Sequence, residues 1–142
     1  MDPIDQQILA CLEEDGRSTY DAIAASVRLS APAVKRRIDK LIATGAIRGF
    51  TVALDHAKLG SSTEAIIELF FAPGTQLDAV AARLEKHPEV IEAWSVTGES
   101  DAIAWVRTRD NSDLERLIRD LQRDGVLERT RTQVAMSRLL PR

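Results

Sequence analysis

From Thr63 onward the sequence alternates between two hydrophobic periods in a fixed order. "TEAIIELFF" reads as a strand, a helical stretch follows, and "VIEAWSV" reads as a second strand; "AIAWVRT", another helical stretch and "RTQVAMSRLL" then repeat that order. A strand–helix–strand unit written twice leaves few folds open, because each amphipathic helix must lay its apolar stripe on a sheet. Thr75 with Asp78 and Ser112 with Glu115 read as capping-box helix starts, 37 positions apart. Val80 and Leu84, then Leu114, Leu117, Ile118 and Leu121, give each helix its sheet-facing stripe. The economical solution is a ferredoxin-like βαββαβ sheet over residues 63–142.

In such a sheet the helices cover one face, so a lone chain should be polar on the other. Here Ile66 and Phe70 alternate with Ile67, Leu69 and Phe71, and "AIAWV" behaves alike, so both faces carry apolar residues. Exposing that patch would invite aggregation, which predicts that a second copy covers it and that the chain forms at least a dimer.

The first 45 residues follow a different period. Asp2-Pro3 opens a helix, with Asp at the N-cap, Pro at the first helical position and Asp5 near the positive helix end; Ile4, Ile8, Leu9 and Leu12 form its stripe. "EDG" should end it with Gly16 in a left-handed cap. A second helix fits Thr19 to Val27, "RLS" makes a tight turn, and Ser30 caps a third helix from Ala31-Pro32 to Ala43, stopped near Gly45. Three helices with a short turn before the last make a helix-turn-helix pattern. At 100° per residue Pro32, Ala33, Lys35, Arg36, Asp39 and Lys40 point away from the Val34/Ile38/Leu41 stripe, and Arg37 lies at its border. After Gly45, "AIRGFTVALD" reads as a strand with Arg48-Gly49 as a wing, and residues 46–62 as strand and linker. The fold class is therefore α+β, a winged helix-turn-helix followed by the ferredoxin-like domain.

Charge distribution narrows the function. The chain is acidic overall, at −3, yet residues 28–48 carry Arg28, Lys35, Arg36, Arg37, Lys40 and Arg48 against the single acid Asp39. Cations grouped on a recognition helix can reach phosphates and base edges, while the small residues before them let the backbone approach. Cys11 is the only cysteine and lies on the apolar face of the first helix, where a core thiol is expected; His56 and His87 lie far apart, as loop or surface histidines. No metal site, cofactor or disulfide is therefore expected. With no long apolar run, neither a signal peptide nor a membrane span is expected, and the location expected is cytoplasmic.

Four stretches, "IDQQILACLEEDGR", "LSAPAVKRRIDKLIATGAIRGFTVALD" with "KLG" after it, "VTGESD" and "RTRTQVAMS", resemble the Lrp/AsnC (feast/famine) family of prokaryotic transcription regulators along almost the whole chain. The second is the most specific, since turn serine, recognition-helix arginine, glycine and β-wing follow the family's order. The resemblance implies sequence-specific binding to double-stranded DNA, commonly at genes of amino-acid metabolism or transport. It also implies dimers that assemble into octamers or related rings, and modulation by an amino acid or similar small molecule. Carried onto this chain, the DNA-facing set is Ser30, Pro32, Ala33, Lys35, Arg36, Arg37 and Lys40, with Arg48 in the wing; Arg37 occupies the family's "RI" position.

The stretch Val96–Asp101, "VTGESD", matches the family's effector-loop pattern of glycine, two residues and aspartate, so Gly98, Glu99, Ser100 and Asp101 are the expected effector residues. Physically, turn N–H groups near Gly98 can receive a carboxylate and Asp101 can pair with an α-ammonium; alternatively Asp101 caps its own backbone in a plain hairpin turn. Ser100 and Ala102 stand where the family often has aromatic residues, which favours a smaller or more polar ligand than leucine. Two other functions compete: an architectural DNA-binding protein without effector, and an enzyme akin to the sirohaem decarboxylases, which resemble the family in fold. The sequence points away from catalysis, because neither histidine lies in a pocket motif and the recognition helix keeps its cations.

Overall fold

The computed structural model describes residues 1–137 and 139–140, which divide into two compact units between Leu54 and Asp55. The first holds three helices, α1 (Pro3–Glu14), α2 (Tyr20–Val27) and α3 (Ala31–Ala43). Each starts on a residue whose side chain accepts an otherwise unpaired N–H of the first turn: Asp2, Thr19 and Ser30. At α1 the cap is reciprocal, Asp2 accepting from the Asp5 N–H at 2.8 Å and Asp5 from the Asp2 N–H at 3.1 Å. Ile8, Ile23, Val34 and Ile38 converge in the core with scarcely any exposed surface, and Cys11 packs half-buried against them.

Two local expectations fail here. Gly16 is not left-handed: α1 ends on Asp15 in extended conformation, its N–H donating to the Cys11 carbonyl. The left-handed cap falls instead on Arg28, at φ 54°, which closes α2 before Ser30 opens α3. Residues 46–54 form no strand. Ile47 is buried, but Phe50, Val52 and Leu54 are exposed, and no neighbouring strand among the described residues offers them a hydrogen-bonding edge.

The second unit runs β1 (Thr63–Phe71), α4 (Leu77–Leu84), β2 (Val90–Ser95), β3 (Ala102–Thr108), α5 (Asn111–Gln122) and β4 (Leu127–Val134). Its strands lie in the order β2-β3-β1-β4, with every neighbouring pair antiparallel. That is the split βαβ arrangement the sequence predicts. Ala65, Ile67 and Leu69 of β1 and Ala102, Ala104 and Val106 of β3 form the floor on which Val80, Leu84, Leu114, Leu117 and Leu121 of the helices pack. Burying each large aliphatic side chain contributes about 1.5–3 kcal/mol.

Helix starts and the last strand differ from expectation. Thr75 does not cap α4, because its hydroxyl donates to the Val126 carbonyl; Gln76 takes the N-cap position without a side-chain capping bond. α5 is capped two residues before Ser112, by Asp110, which accepts the Asp113 N–H. β4 begins at Leu127 and ends at Val134, earlier than the expected 131–140, because its register with β1 runs from Phe71↔Leu127 to Ala65↔Val134; past it the Ala135 N–H still donates to the Glu64 carbonyl. Arg138 of the expected strand lies outside the described residues.

The open face is more mixed than the alternation suggested. Trp94, Ile103, Trp105 and Ile66 supply apolar surface there, but Arg107 pairs with Glu64, Arg131 with Glu68, and Arg129 stacks on the Phe70 ring at 3.7 Å. Phe70 is thereby buried within the single chain.

Candidate functional site

The amphipathic division of α3 is sharp. Val34, Ile38 and Leu41 face the core, while Pro32, Lys35, Arg36, Asp39 and Lys40 lie exposed and Ala33 is half-buried beside the Ser30 cap. Lys35 donates to Asp39 at 2.6 Å, an i,i+4 pair that holds the ammonium pKa above its ordinary value. Among the described residues Arg36 and Lys40 on this face, and Arg28 and Arg48 before and after α3 in the chain, make no ion pair, so their charge is available.

Arg37 goes elsewhere. Its Nη1 donates to Asp2 at 2.6 Å and to Asp5 at 2.7 Å, tying α3 to the first turn of α1. The Arg37 hydrogen bond lowers the Asp2 pKa. Asp5 is lowered first by the Asp2 backbone N–H and then by Arg37, whose own pKa rises through both partners. Its border position, with two acids in the first turn of α1, was the available signal. Arg28 lies outside the expected DNA-facing set. It stands exposed at the tight turn directly before α3, in a conformation that glycine adopts more easily, and the signal was the absence of glycine at a helix-to-helix turn.

The loop between β2 and β3 is braced to the sheet. Gly98 has φ 130°, a value that disfavours any side chain there. Asp101 donates its N–H to the Leu69 carbonyl and accepts the Phe71 N–H on Oδ2 at 2.8 Å, so its carboxylate bridges to β1 rather than capping its own turn. Glu99 Oε2 lies 3.5 Å from Arg131 Nη1. Ser100 is half-buried, whereas Ala102 is turned into the core and cannot line an outer pocket; only Ser100 of the two departures bears on ligand size.

His56 lies half-buried in a turn, and His87 Nε2 is shielded from solvent without a hydrogen-bond partner among the described residues. Among those residues there is no cluster of three metal-ligating side chains, and no helix is long and apolar enough to cross a membrane.

Two family models match, in chain order: the AsnC-type helix-turn-helix domain over residues 1–42 and the Lrp/AsnC ligand binding domain over residues 64–142. An HTH-type transcriptional regulator of Mycobacterium tuberculosis is 39% identical over 142 residues, covering 100% of this chain and 96% of its own. The leucine-responsive regulatory protein of Rhizobium meliloti is 42% identical over 103 residues, 71% of this chain and 66% of that protein. Among solved structures, the leucine response regulatory protein of Mycobacterium tuberculosis superposes with a TM-score of 0.87 at 28% identity, covering 99% of this chain and 96% of that one. The fold of Escherichia coli AsnC matches with a TM-score of 0.92 at 24% identity, covering 100% and 96%. These relatives are transcriptional regulators and not enzymes, which sets the decarboxylase reading aside. With a DNA-binding module and a ligand-binding module both matched in order, the chain belongs to the Lrp/AsnC family of DNA-binding transcriptional regulators.

Proposed function

We propose that this regulator acts in the cytoplasm on genes of amino-acid metabolism or transport, reading an operator with the outer face of α3 and responding to a small or polar amino acid. The observation that carries the DNA part is the exposed face of α3, where Arg36 and Lys40 make no ion pair among the described residues while the other side is locked in the core; Arg28 and Arg48, before and after α3 in the chain, are likewise unpaired. Ser30, Pro32 and Ala33 bring the backbone near the groove, and Lys35 can exchange Asp39 for a phosphate; Arg37 positions α3 instead of touching DNA. The working division is 1–45 for DNA binding, 46–62 for an irregular linker, and 63–142 for effector binding and oligomerisation. A dimer formed over Trp94, Ile103 and Trp105 would read a pseudo-palindrome with half-sites about 10 bp, or multiples of it, apart, and dimers could assemble further into an octamer.

The effector reading, with Gly98, Glu99, Ser100 and Asp101 as its residues, is supported by the braced loop, where Asp101 is tied to β1 and Glu99 reaches Arg131. The deciding experiment is a gel-shift titration on the DNA upstream of the protein's own gene, with and without each amino acid, beside sedimentation of the free protein. Retarded DNA whose affinity changes with one amino acid supports the whole reading. Binding indifferent to all of them supports the architectural alternative, and a monomer in sedimentation removes the dimer.

A further inference from the structure

Arg131 is held unequally by two carboxylates. Its Nη2 lies 2.5 Å and its Nε 2.9 Å from Glu68 Oε2, a partner on the adjacent strand only 12% exposed and itself fixed by Gln133 at 2.9 Å. On the other side Nη1 meets Glu99 Oε2 at 3.5 Å, the limit of a hydrogen bond, and Glu99 is 78% exposed on a loop. Glu68 is thus a built counter-ion and Glu99 a loose one, contributing little through a screened surface pair. Among the described residues Glu99 is nevertheless the only link between the tip of the loop and β4, two residues from the Asp101 brace to β1.

We propose that Glu99 is a placeholder on Arg131: an effector docks by exchanging its own carboxylate for that of Glu99, and the exchange releases the loop tip from β4. This rests on the effector reading and names its chemistry. A guanidinium with one side occupied by Glu68 still presents N–H donors to a planar carboxylate, which a ligand can align better than a glutamate held at 3.5 Å. The exchange trades one carboxylate for another, so no unpaired charge is left at the sheet. The chemistry at Arg131 calls for a carboxylate, which in the effector reading is that of an α-amino acid, and a carboxamide of the same amino acid should fail.

The test uses the full chain in calorimetry with the twenty amino acids, then the amide of whichever binds. Glu99→Gln removes the competitor at an exposed position that folding does not need, and should bind about two- to fivefold tighter, the range a surface ion pair allows. Arg131→Gln should weaken binding at least about tenfold, as loss of a charged hydrogen bond does, and Arg131→Lys should recover part of it. If wild type binds and Glu99→Gln binds equally or more weakly, or the amide binds as well as the acid, the placeholder is overturned while the effector reading stands. No heat from any amino acid with either wild type or Glu99→Gln removes both.

Discussion

Arg37 and Asp5 are 32 positions apart in sequence and 2.7 Å apart in the fold, the guanidinium of α3 meeting the first turn of α1. A cation sited on the recognition helix thereby serves to hold that helix in place. Arg37→Gln should lower the thermal midpoint of the helical unit. At temperatures where that unit stays folded, the slope of log affinity against log salt should match wild type. A phosphate contact would instead reduce the slope by about 0.9; salt titrations of operator binding separate the two.

The same clamp predicts an acid limit. Asp2 and Asp5 have folded pKa values below the ordinary 3.8, so the stability they contribute is fully present above that value and is lost as pH falls through the lower folded values. Arg37 is raised above its ordinary value by its bonds to Asp2 and Asp5, so its share would fade only in strong alkali. Melting curves followed by helix ellipticity should be flat with respect to these groups down to about pH 4 and fall below it, and Arg37→Gln should shrink that fall.

Arg28 should show opposite signs in two assays. Replacing it with glycine relieves the left-handed backbone at φ 54° and should stabilise the helical unit by about 1 kcal/mol. Loss of the exposed cation should at the same time weaken operator binding and flatten its salt slope. Denaturant unfolding and salt titration of Arg28→Gly would show both; unchanged DNA affinity would leave Arg28 a turn residue only.

Lys35 and Asp39 form a 2.6 Å pair on the outer face of α3. Lys35→Ala and Arg36→Ala should each weaken binding and reduce the salt slope by about 0.9 per lost phosphate contact. Asp39→Asn should act the other way, freeing Lys35 and removing a carboxylate that phosphates repel, so low-salt affinity and slope both increase. Unchanged slopes across this series would place the interface elsewhere.

Asp101 should matter through the loop's attachment. Asp101→Ala removes the acceptor of the Phe71 N–H, and hydrogen exchange at Phe71 should speed up while the β1–β3 ladder from Thr63 to Leu69 stays protected. Effector binding should weaken with it. Unaltered exchange at Phe71 would mean that the brace holds nothing.

Helices, strands and their order were legible in the sequence because their causes are local: the apolar periods, the Asp2 and Ser30 caps, and the paired βαβ pattern all act within a few residues. The outer face of α3 was legible for the same reason. Tertiary structure decided what depends on a distant partner. The Arg37 charge went to Asp2 and Asp5, the span of β4 followed its register with β1, and "FTVAL" stayed irregular without an edge to pair with. The loop shows the division most plainly. Its glycine and aspartate stand in the sequence, but only the sheet brings Phe71 to Asp101 and Arg131 to Glu99, because hydrogen bonds across strands join residues whose spacing along the chain carries no trace of them.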